Sequence, residues 1–201
     1  MALRRVVDAT LAAKVVLIEV VDWRQLLTLI AASENFIING TRRECGKLLM
    51  TDDEFLAQFE STTFPFEQWH HRQHIKAAYL YLRAHPFERA VEQMRTGIKA
   101  YNQQHQSKSK TQAGYHETMT QGWMRLVYLT LCEFGPAENS DAFVDQHTQL
   151  LSPRALFLFY SRERLMSGQA KEQFVQPDLG PFPRSKKDGE FFFAESADRR
   201  F

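Results

Sequence analysis

The sequence predicts an all-α fold: an antiparallel helical bundle of about five main helices, with an N-terminal extension and an extended C-terminal tail. Three observations carry this. Apolar residues recur at helical spacing along several segments. Proline, glycine and short polar stretches separate those segments. No alternating strand series and no internal repeat runs through the chain.

Residues 1–49 differ from the rest in being rich in Val, Ile, Leu and Ala, and suit a helix over 2–32 or a strand over 15–21. They read as an N-terminal extension, with Met50 as the natural start. Thr51-Asp52-Asp53-Glu54 then has the form of a capping box, opening a short helix with Phe55, Leu56 and Phe59 on its inner side. Pro65 is placed for the first turn of a helix over 66–84, whose stripe is Ile75, Ala78, Tyr79 and Leu82. Pro86 breaks that run and begins the next helix, with Phe87, Ala90, Val91, Met94, Ile98 and Tyr101 on one face.

A polar loop is expected over 106–114, followed by a third long helix over 115–134. Met119, Trp123, Leu126, Val127, Thr130 and Phe134 face inward in that reading, until Gly135-Pro136 ends it. Ser140-Asp141 is expected to cap a helix carrying Phe143, Val144, His147, Leu150 and Leu151. Ser152-Pro153 opens another over 154–165, and residues 167–174 add a short turn. Pro177, Pro181 and Pro183 make an extended segment. The domain organisation is therefore an extension at 1–49, a helical domain at 50–183 and a flexible tail at 184–201.

A formal net charge of +1 gives no global reason to expect nucleic acid or an anionic membrane as partner. The basic pairs Arg42–Arg43 and Lys186–Lys187 are short enough to be solvated surface. The apolar run at 15–21 is too short and too charged to span a bilayer. Cys45 and Cys132 lack CxxC spacing, and Cys132 suits a small core residue, so a reducing, cytoplasmic compartment is expected.

Histidines supply the chemistry. In Trp69-His70-His71-Arg72-Gln73-His74, a turn of about 100° per residue sets His71 near the centre of the apolar stripe and His74 at its margin. His70 points away. On the third helix His116 projects inward and Glu117 toward the flank. With up-down connectivity the first turns of these two helices share one end of the bundle, together with His105, His147 and Tyr160. His105 and His147 are themselves expected at the surface.

Imidazoles beside a carboxylate suit a divalent Zn, Fe or Mn ion held by His71, His74 and His116. The same groups suit metal-free acid–base work, with His71, His116, Glu117 and Tyr160 as the catalytic candidates. Helix N-termini would also favour an anionic ligand there. The spacing matches neither H-E-x-x-H nor the Glu-x-x-His pair of di-iron bundles. Arg72, Arg125 and Arg162 are further candidates for a carboxylate or phosphate. Ser161 lacks the G-x-S-x-G signature of a nucleophile.

The ordered set His71-x-x-His74-Ile75 with Ala78-Tyr79-Leu80-Tyr81-Leu82, Tyr115-His116-Glu117-Thr118, Tyr160-Ser161-Arg162-Glu163-Arg164-Leu165 and Phe174-Val175-x-Pro177-Asp178-Leu179 resembles a bacterial all-helical family without an assigned activity. The resemblance covers residues 66–183, implies a small helical domain and supplies no catalytic residue. Two functional expectations follow. One is a small-molecule enzyme or binding protein with a His-lined pocket at the end of a bundle. The other is a non-enzymatic helical module in which the histidines are structural polar groups and an apolar patch, involving residues 191–193, meets a partner.

Overall fold

A computed structural model describes residues 50–105 and 114–183. The expectations for 1–49, for most of the 106–114 loop and for the tail at 184–201 lie outside the described residues. Among the described residues the regular elements are all helical, without strands, around one packed core, as the hydrophobic pattern predicts.

The α-helices are α1 (Asp52–Glu60), α2 (His71–Ala84), α3 (Phe87–Gln104), α4 (Glu117–Phe134), α5 (Ser140–Gln146), α6 (Arg162–Leu165) and α7 (Gly168–Glu172). Single 3-10 turns lie at Phe66–Gln68, Thr148–Leu151 and Ala155–Leu158. The three long helices α2, α3 and α4 pack on one another, and α5 packs on α2. The capping box forms as expected: the Thr51 N–H donates to Glu54 Oε2 at 2.9 Å, and the Glu54 N–H to Thr51 Oγ1 at 3.2 Å. Phe55 and Phe59 are buried behind it.

Phe59 stacks on Trp69 with ring centroids 4.6 Å apart, and Trp69 lies 4.7 Å from Tyr101. This aromatic cluster joins α1, the start of α2 and the end of α3. Gly97 on α3 lets it close, since a Cβ there would sit 2.7 Å from Phe59 Cε1. Gly135 ends α4 at φ 80°, a conformation that costs glycine little and other residues more.

Three expected helices are broken, each for a local reason. The 66–84 run is a 3-10 turn followed by α2, because His70 adopts extended backbone and serves as the N-cap. The 140–151 run changes from α5 to a 3-10 turn at His147, and Asn139 caps it in place of Ser140. The 154–165 run separates at Tyr160-Ser161, where the Ser161 hydroxyl accepts the Arg164 N–H at 3.1 Å. Phe134 is 44% exposed, which corrects its expected inward placement; it sits in the last position of α4, where the helical stripe leaves the core. Cys132 is buried, as expected.

Residues 174–183 form an extended strap across α4 and the Ala155–Leu158 turn. Buried Thr118 pins it twice, donating to the Gln173 carbonyl at 2.9 Å and accepting the Val175 N–H at 3.1 Å. The Leu179 N–H donates to the Phe159 carbonyl at 3.0 Å, and Asp178 Oδ1 accepts the Ser161 N–H at 2.8 Å. No described helix is long and apolar enough to cross a membrane.

Candidate functional site

The first turns of α2 and α4 and the last turn of α3 border one cavity of about 280 Å³. His71, His74, His116, Met119 and Thr120 come from the first two, and Asn102 from the third. Helices that start together while the intervening one ends there are connected up, down and up, so the long helices follow the expected topology. Indole rings of Trp69 and Trp123 add much of the remaining wall.

Each imidazole is held differently. His71 opens α2, and its Nε2–H donates to the Leu150 carbonyl at 2.9 Å; a carbonyl only accepts, so Nδ1 is left as an acceptor. The ring meets Trp123 edge to face, centroids 4.4 Å apart. His74, one turn on, packs edge to face against Trp69 at 4.6 Å. His116 is the N-cap of α4 and not its first residue: Nδ1 accepts the Met119 N–H at 3.2 Å, and Nε2–H donates to the Leu165 carbonyl at 3.1 Å.

Burial lowers the pKa of all three. For His71 and His116 the carbonyl contacts oppose that effect without reversing it. His74 falls to about 4, through burial first and then the nearby His71. All three rings are therefore neutral at pH 7.

The expected metal set of His71, His74 and His116 is not assembled. Both His116 nitrogens are occupied by backbone, and His71 Nε2 is tied to a carbonyl 79 residues away in sequence. Among the described residues no group of three His, Cys, Asp or Glu is arranged to hold a metal ion.

Glu117 is buried rather than turned to the flank. Arg95 grips it from α3 through Nε at 3.0 Å and Nη2 at 2.6 Å, while Tyr115 Oη (2.9 Å) and Gln121 Nε2 (2.7 Å) complete its shell. The Arg95 contact, followed by the two neutral donors, holds its pKa at about 2 despite burial. A carboxylate with four donors and so low a pKa is a poor proton acceptor. Tyr160 is not among the residues that line the histidine cavity: its hydroxyl donates to the Val175 carbonyl at 2.9 Å, and burial pushes its pKa up to about 12.

Of the remaining histidines, His70 is exposed as expected. His147 is buried, its ring between Phe134 and Phe143 at 5.0 and 4.8 Å, and His105 is half-buried with Nε2 donating to the Thr62 carbonyl at 3.0 Å. Both correct the expected surface placement. Both are C-cap residues whose backbone N–H donates back to carbonyls of the last helical turn, which turns the ring toward the bundle. Arg72 is committed to Asp141 (2.9 Å) and Asp145 (2.8 Å).

Trp69, Asn102 and Tyr115 on the cavity wall were not expected there. Trp69 sits in the break before α2 and Asn102 at the fading end of the α3 stripe, where helical periodicity carries no information. Comparison of the chain with protein-family models, curated proteins and solved structures returns no match.

Proposed function

We propose that the chain is a small-molecule-binding protein whose ligand is a compact, uncharged, planar heterocycle seated in the histidine cavity. One observation carries the reading: no Asp, Glu, Lys or Arg is among the described residues that line it. A charged ligand would lose its hydration there without gaining a partner of opposite sign. A neutral ring instead meets two indoles and the thioethers of Met94, Met119 and Met124. His71 Nδ1 and the Asn102 amide are available to orient its polar edge. The volume of about 280 Å³ lies at the small end of ligand sites.

One feature also favours a catalytic role. The Leu150 carbonyl fixes His71 in the Nε2–H tautomer, which leaves Nδ1 suited to take a proton from a bound ligand as a general base. The compartment in this reading is the cytoplasm, consistent with the cysteine usage, and neither nucleic acid nor membrane is a partner.

A panel of neutral heteroaromatic fragments, followed through the indole N–H signals of Trp69 and Trp123, tests the proposal. Saturable shifts at both tryptophans, lost in Met119→Glu, are expected. Fragments that move neither signal at millimolar concentration would overturn it. A fragment chemically altered on incubation with wild type, and not with His71→Gln, would establish the catalytic reading.

A further inference from the structure

A second cavity, of about 710 Å³, lies between α4 and the strap, and shares no lining residue with the histidine cavity. Arg125 is the cation on its wall. Its guanidinium carbon lies 5.2 Å from the Phe87 ring centroid and 5.1 Å from that of Phe174. Two rings from different parts of the chain therefore hold the guanidinium, so its orientation is set in advance.

What the guanidinium does not have is an acid. Two other half-buried arginines of the bundle face carboxylates, Arg72 with Asp141 and Asp145 and Arg95 with Glu117 and Glu92, while Arg83 and Arg164 donate to the Tyr79 hydroxyl and the Gln176 carbonyl. Among the described residues no hydrogen bond or ion pair reaches Arg125, and its Nε is buried without a hydrogen-bond partner. Asp178 shares the cavity wall but is turned to the Ser161 N–H at 2.8 Å, with its charge opposed by Arg164. A planar, weakly hydrated cation fixed at a cavity wall matches a carboxylate or phosphate oxygen pair.

We propose that this cavity binds a small molecule bearing an oxyanion, either a carboxylate or a phosphate monoester, on a flat apolar body, with Arg125 as the anion-binding residue. The volume falls within the roughly 300–1,000 Å³ of small-molecule sites. Tyr128, Leu129, Pro181 and Phe182 supply an apolar wall for the body. The strap is thereby a structural half of the site: its pinning by Thr118 and the Phe159 carbonyl sets the width of the cavity.

Titration of the full chain with benzoate, phenyl phosphate and neutral benzamide, followed through the methyl signals of Leu129 and Leu179, tests this. At least one anion is expected to move both signals saturably, with benzamide weaker by about tenfold or more and the anion weakened by added salt. Benzoate alone identifies a carboxylate ligand, and phenyl phosphate alone a phosphate ester. Arg125→Gln is expected to weaken the anion by about tenfold or more and leave benzamide unchanged. Should that variant fail to fold, the affinity of the anion that binds relative to benzamide on the unaltered chain still decides. Benzamide binding as tightly as the anion that binds, or no shift with either anion, overturns the proposal. Neither result bears on the tryptophan signals of the histidine cavity.

Discussion

His71 and Trp123 meet edge to face with ring centroids 4.4 Å apart, and this contact joins the first turn of α2 to the second turn of α4. The imidazole is held from its far side by the Leu150 carbonyl, so it spans two helices and the turn after α5. His71→Ala removes the donor to a partly buried carbonyl as well as the ring contact. A loss of about 1–3 kcal/mol in urea unfolding is expected. Trp123 emission should also shift to the red as solvent reaches the indole. Unchanged stability together with unchanged emission would show that the contact is not formed in solution.

His74 governs the acid side of the stability profile. Its folded pKa of about 4 lies below the value near 6.5 of an unfolded histidine, so the unfolded chain takes up this proton first. Stability is complete above pH 6.5 and falls as pH drops toward 4, by on the order of 3 kcal/mol from this residue. His71, His116 and His147 shift in the same direction and steepen the fall. In an NMR titration the His74 ring signal should not move above about pH 5, and His74→Gln should flatten the unfolding free energy between pH 7 and 5. A ring titrating near 6.5 would refute the assignment.

How much of this the sequence allows depends on whether a residue sits within a helix or at its end. The stripes Ile75-Ala78-Tyr79-Leu82 and Ala90-Val91-Met94-Ile98 are buried as periodicity requires, because helical projection holds where each residue turns by the same angle. His116 is the opposite case. Projected as a helical residue it points inward, yet it is the N-cap, with extended backbone, and reaches the cavity for a different reason. Glu117 differs in another way: it is a helical residue, and Arg95 of α3 closes over its flank position, a tertiary contact that helical projection does not carry. Tyr160 fails because the chain breaks at Ser161, so no continuous helix carries it to the histidines. Arg125 is one of three arginines that the sequence offers for a carboxylate or phosphate; what singles it out is the fold, which brings Phe87 and Phe174 against it.

Glu117 and Arg95 form the polar strut between α3 and α4. Glu117→Gln keeps the shape and removes the charge, leaving Arg95 with the more exposed Glu92 alone. A loss of about 2–4 kcal/mol is expected, because removing one partner strands the other. The double variant Glu117→Gln with Arg95→Met should recover part of it, as measured by a double-mutant cycle. Any contact of Glu117 with bound ligand would instead appear as lost binding in a variant of wild-type stability.

Thr118 separates the strap from the rest of the fold. Thr118→Val preserves volume but removes the donor to the Gln173 carbonyl and the acceptor for the Val175 N–H, both at fully buried Thr118. Two backbone groups then lack a partner, at about 1–3 kcal/mol each, unless the strap lifts toward water. Lifting is the cheaper outcome, since residues 174–183 contribute few helical hydrogen bonds of their own. Amide exchange at Val175 and Leu179 should therefore accelerate by orders of magnitude, while Tyr79 and Leu126, deep in α2 and α4, change little. The same variant should lose benzoate and phenyl phosphate binding at the Arg125 cavity, whose wall the strap forms, and retain the fragment-induced shifts of Trp69 and Trp123. Uniform acceleration across all helices would instead make the strap part of one cooperative unit with the bundle.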